Sequence, residues 1–188
     1  SETISITPRV IYQKISTDGF NRQEVFNLYA NPFTTTRPAV TFNEREQHLL
    51  LQEAFEDETM IADATIKIGL GGVDLTSVSS YTDRDILVSR DASALTGSVS
   101  VDLGFPTAGV LLPSNLRDTT KVKSLTQEVR LSSNGDGPLQ WVLGGFYSNT
   151  NRDYAQRLPT PGYDAFTDVA FGAGTSAAVA NGFPLNSP

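Results

Sequence analysis

Apolar and polar residues alternate with a period of two over several long stretches, the pattern of strands whose two faces meet different surroundings. In Ser124–Leu131, Leu125, Val129 and Leu131 share a face with Gln127, while Thr126, Glu128 and Arg130 share the other. After a turn-rich stretch, Ser133–Pro138, one face carries Leu139, Trp141, Leu143, Gly145 and Tyr147 and the other Gln140, Val142, Gly144, Phe146 and Ser148. The alternation continues through Asn149, Asn151 and Asp153. It predicts a strand of about 15 residues, where globular strands average roughly 5 or 6.

The same pattern predicts strands at about 3–18, 59–69, 72–88, 121–132 and 139–155, with long loops at 19–58, 89–120 and 156–188. Pro8 removes a ladder donor from the first strand and predicts a distortion there. Within the first loop, Asn43 as cap, Glu46 three residues on, and the stripe Leu50, Leu51, Ala54 and Phe55 predict a short helix. Gly69–Gly72 reads as a four-residue hairpin loop that places Ile68 opposite Val73 and Lys67 opposite Asp74. A phosphate loop does not fit these glycines, because no Lys-Ser/Thr pair follows them. In the other hairpin, Leu131 is expected opposite Leu139, Val129 opposite Trp141 and Glu128 opposite Val142.

Composition narrows the function classes. The chain has 188 residues, enough for a sizeable core, and its net charge of −7 argues against a nucleic-acid partner. Cysteine is absent, which removes disulfides and thiolate metal sites. No apolar run is long enough for a membrane helix, but strands that alternate would escape that criterion.

Short connections at Gly69–Gly72 and Ser133–Pro138 alternate with the long loops, so the long loops gather at one end of an antiparallel sheet. The fold class expected is therefore all-β: an antiparallel transmembrane β-barrel segment of about five long strands, with short periplasmic turns and long extracellular loops. Too few strands are present to close a barrel, so the 188 residues read as part of a larger chain.

The runs SLTQEVRLSS and GDGPLQWVLGGFY within Ser124–Tyr147, with VDLTSVSSYTDRD at Val73–Asp85, resemble the barrel portion of TonB-dependent outer-membrane receptors. The resemblance implies a segment of an active transporter in the cell outer membrane, carrying a ferric siderophore or a similar scarce nutrient. Its implied partners are outer-membrane lipids and the TonB energy-transducing complex, the latter acting through a region not in this sequence. Neither plug, TonB box nor terminal aromatic strand is found, so no functional residue carries over from the family.

No catalytic, cofactor-binding or metal-binding residues are assigned from the sequence, and no enzymatic activity is expected. His48 is the lone histidine and has no companion at ligand spacing. Asp83, Asp85, Asp91 and Asp118 invite a calcium reading but lack EF-hand spacing. Trp141 and Tyr147 are read as interfacial girdle or lipid-facing residues, and Glu128 and Arg130 as wet-face residues with no need to pair. The competing reading is a soluble all-β ligand- or carbohydrate-binding module with its long loops as the binding edge. A glycosidase-like enzyme ranks third and would need two carboxylates in a cleft.

Overall fold

The computed structural model describes residues 4–20, 43, 44, 46, 47 and 49–180. Five strands and four helices follow one another along it: β1 (Ile4–Thr17), β2 (Ala54–Gly69), β3 (Val73–Asp91), α1 (Ser93–Asp102), α2 (Thr107–Val110), β4 (Asn115–Ser133), β5 (Val142–Arg157), α3 (Tyr163–Phe171) and α4 (Thr175–Ala180). The strands form one sheet in the order β1-β2-β3-β4-β5. Each strand pairs with its sequence neighbours, and β1 and β5 are edges.

This architecture corrects the expected fold class. The chain is mixed α/β, and its sheet is open rather than closed into an all-β transmembrane barrel. Alternation in a sequence specifies strands with two unlike faces, but it does not specify closure. Two of the stretches read as loops contain the helices, α1 and α2 after β3 and α3 and α4 after β5. No helix among the described residues is long and apolar enough to cross a membrane.

The chain divides into two compact units. The first comprises Ser1–Ile15, Asp57–Ile86 and Thr120–Tyr154, and the second Ser16–Glu56, Leu87–Thr119 and Ala155–Pro188.

In the first unit, cross-strand pairs show which residues share a face. One face carries the ion pairs Arg9–Asp63 (2.8 Å) and Arg84–Asp57, with Ser124 Oγ 2.7 Å from Thr150 Oγ1. The other carries Lys121–Asp85 at 3.3 Å and Lys123–Asp83 at 3.7 Å beside Ile4, Ile6, Val10, Met60, Leu125 and Val129, large apolar side chains that are exposed. Trp141 and Tyr147 are exposed too, and the open sheet withdraws their assignment to membrane girdles. Glu128 and Arg130 do pair, with Arg130 Nε 2.8 Å from Glu128 Oε1. They are two residues apart on one strand, so they share a face, and the long guanidinium arm spans the gap.

Both expected hairpin registers are displaced. Leu70 donates its N–H to Val73 O at 2.8 Å, so the turn is the two residues Gly71 and Gly72, with φ of +70° and +83°. Positive φ at both central positions makes a turn whose twist matches the strands it joins, and glycine adopts it without Cβ strain. Ile68 then faces Leu75 and Lys67 faces Thr76, not Asp74. In the second hairpin Ser133 N–H donates to Trp141 O at 3.0 Å. Leu131 therefore faces Leu143, Val129 faces Gly145 and Glu128 faces Phe146. Close approach of Arg130 to Gly144, where an added Cβ would meet Arg130 Cγ at 3.0 Å, agrees with this register. Both displacements are even, so every side chain keeps its expected face.

In the second unit the core is small and aromatic. The Phe105 ring lies 5.1 Å from Tyr163, 6.4 Å from Phe166 and 6.3 Å from Phe171, centre to centre. Phe105 and Val110 are buried, as are the small residues Ser93, Ser100 and Ser114. Small hydroxyl residues allow close approach and satisfy the backbone locally: Ser93 Oγ accepts the Ser114 N–H at 3.0 Å, and Ser114 Oγ lies 2.7 Å from Thr160 Oγ1.

Candidate functional site: an apolar pocket among three helices

The second unit contains a pocket of about 640 Å³. Its walls come from recurring helical spacings: Leu95 and Val99 on α1 with Leu103 at its C-cap, Tyr163, Thr167 and Phe171 on α3, and Thr175 and Val179 on α4. Residues four apart lie on one face of a helix, so each helix presents a single stripe to the cavity. Leu158 and Thr160, which follow β5, complete the wall.

Most hydroxyls in this lining are already engaged. Thr167 Oγ1 donates to Tyr163 O at 2.9 Å, and Thr175 Oγ1 donates to Phe171 O at 3.2 Å, each back-bonding to its own helix. Thr160 Oγ1 is held by Ser114 Oγ and by Leu158 O. Ser100 Oγ lies 3.4 Å from the Tyr163 hydroxyl. Among the described lining residues, Thr96 Oγ1 is buried without a hydrogen-bond partner. The lining is therefore mainly apolar, with few polar groups left to a ligand.

Asp168 orders α4. Its carboxylate accepts the Ser176 N–H at 2.8 Å, and the amides of Ser176, Gly174 and Thr175 hold the carboxyl below its ordinary range. An anionic group there also complements the positive end of the helix dipole.

The aspartates considered for calcium are dispersed and otherwise occupied. Asp83 and Asp85 face Lys123 and Lys121 in the first unit, and Asp118 pairs with Arg90 at 2.7 Å in the second. Asp91 accepts amides from Leu50, Leu51 and Ser93, tying the chain before β2 to the start of α1. No group of three or more His, Asp or Glu residues able to hold a metal occurs among the described residues. His48 lies outside them. Asn43 and Glu46 form the reciprocal bond of a helix cap, Asn43 N–H to Glu46 Oε2 at 2.9 Å. No helix follows among the described residues, and β2 begins at Ala54.

No residue of the pocket is among the sequence candidates. A usable signal is present in α3, where the lining residues Tyr163, Thr167 and Phe171 recur at helical spacing between Gly162 and Gly172. The Gly, Ala and Pro content of the surrounding stretch obscures it.

No protein-family model, curated protein or solved structure matches the chain. The resemblance to TonB-dependent receptors is accordingly corrected: it rested on strand and turn patterning, no family model supports it, and the sheet is open with helices between its strands. With it go the transporter function, the outer-membrane location, and the outer-membrane lipid, TonB-complex and siderophore partners.

Proposed function

We propose that the chain is a ligand-binding module whose second unit takes an apolar small molecule, and that it is not an enzyme. The observation that carries this reading is the pocket of about 640 Å³ with one apolar stripe from each of three helices. Its volume lies within the roughly 300–1,000 Å³ of small-molecule sites. A saccharide suits the site less well. Sugars need several convergent donors and acceptors, whereas the hydroxyls of Thr160, Thr167 and Thr175 are spent on protein partners.

Titration with a neutral solvatochromic dye, followed by displacement with long-chain alcohols and with oligosaccharides, tests the reading. Saturable dye binding, displaced by alcohols and abolished by Val99→Trp, is the expected result. Binding that Val99→Trp leaves intact would place the dye elsewhere and overturn the assignment, as would displacement by oligosaccharides alone.

A further inference from the structure

Arg117 on β4 and Arg157 on β5 face each other across the ladder. Two flanking contacts set the register: Asn115 N–H donates to Pro159 O at 3.1 Å, and Thr119 Oγ1 donates to Ala155 O at 3.5 Å. The pair between them is Arg117 with Arg157. Like charges placed directly opposite each other on one face of a sheet destabilise it unless something neutralises them.

Nothing among the described residues does so. Arg9, Arg84, Arg90 and Arg130 each have a carboxylate, and Arg152 lies over the Tyr154 ring at 5.6 Å. Arg117 and Arg157 have neither a side-chain hydrogen bond nor an ion pair among the described residues, although the whole chain carries a net charge of −7. Both line a second cavity of the same unit, about 380 Å³, with Thr119, Ala155 and Pro159. It shares no residue with the apolar pocket.

We propose that Arg117 and Arg157 together bind a phosphate group, free or as a monoester. Opposed Cβ atoms in a ladder stand roughly 4.5–5.5 Å apart, so two guanidinium arms can close on one tetrahedral anion. Each planar fork supplies parallel N–H donors that match two phosphate oxygens, and a dianion offsets both charges. Ala155 and Pro159 offer an apolar wall to the ester substituent, so a monoester gains a contact that the free anion lacks.

Calorimetric titration of the full chain at low ionic strength, with inorganic phosphate and separately with phenyl phosphate, tests this site. One saturable site is expected. Arg117→Gln and Arg157→Gln should each weaken it by roughly tenfold or more, while Arg152→Gln leaves it unchanged. Tighter binding of phenyl phosphate assigns the ester as ligand, and equal binding assigns the free anion. In phosphate-free buffer Arg157→Gln should raise the melting temperature, because it removes the opposed charge, and added phosphate should then stabilise only the unsubstituted chain. Absence of saturable binding by either probe, or equal binding to the Arg117→Gln and Arg157→Gln variants and the unsubstituted chain, would overturn the proposal.

Discussion

Arg84 on β3 holds both carboxylate oxygens of Asp57 on β2, its Nε donating to Oδ1 at 2.9 Å and its Nη2 to Oδ2. Asp57 is buried and Thr59 Oγ1 adds a third bond at 3.0 Å. The Arg84 guanidinium, helped by Thr59, holds the Asp57 carboxyl below its ordinary range. In the window between the depressed folded value and the unfolded value, about 3.9, the unfolded chain binds more protons than the folded one. The pair therefore stabilises fully above that window, and its contribution is lost as pH falls through it. Asp57→Asn should lower stability at neutral pH by roughly 1–3 kcal/mol and flatten the acid limb of a pH series of urea melts. An acid limb unchanged by the substitution would refute the assignment.

Thr96 buries a hydroxyl without a partner in the wall of the apolar pocket. Thr96→Val keeps the shape and removes the orphan group. It should leave stability unchanged or raise it by up to about 1 kcal/mol, and should not weaken a purely apolar ligand. A loss of stability beyond the small helix-propensity difference would show that the hydroxyl has a partner.

Gly109 sits against the aromatic core, where an added Cβ would meet Phe166 Cγ at 3.0 Å and Phe105 Cδ2 at 3.1 Å. Phe105 is buried and packed by three other rings, so it cannot yield cheaply. Gly109→Ala should destabilise by roughly 1–3 kcal/mol and perturb the aromatic circular dichroism. An unaltered aromatic spectrum and melting curve would argue against this packing.

Gly71 and Gly72 carry the positive φ angles of the turn between β2 and β3. Nothing lies within 4 Å of a Cβ at either position, so the penalty for alanine is conformational rather than steric crowding by neighbours. Gly72→Ala should cost about 1–2 kcal/mol, and Gly71→Asn much less, because asparagine tolerates the left-handed region. Equal melting curves for the two variants would count against the assigned turn.

The sheet is legible in the sequence because alternation survives in residues such as Ala62, Ala64, Ile66 and Ile68 against Asp63, Thr65 and Lys67. Its limits are less so. Glu56, Asp57 and Glu58 fall in the stretch 19–58 expected as a loop, yet they lie in β2, where Asp57 meets Arg84 and Glu58 meets Tyr12 and Lys14. Such partners are distant in sequence and leave no local trace. Helix α1, SALTGSVSVD, hides for another reason: its serines, glycine and β-branched residues favour other conformations, and tertiary packing overrides them. The expected hairpin registers fail because clustered glycines suggest a loop length, while φ at Gly71 and Gly72 decides where the ladder resumes. The pocket needs three helices where the alternation predicts only loops, so its position is not legible from the pattern.

The sequential strand order has a consequence for biosynthesis. Because every sheet neighbour is also the neighbour in sequence, each strand leaving the ribosome finds its partner already synthesised. The sheet can assemble in the direction of translation, with β5 adding to a template of four earlier strands. No pairing has to wait for a distant segment, which keeps loop-closure demands small at each step after β2. A ribosome paused once β4 has emerged would thus hold a partly built sheet whose growing edge is β4.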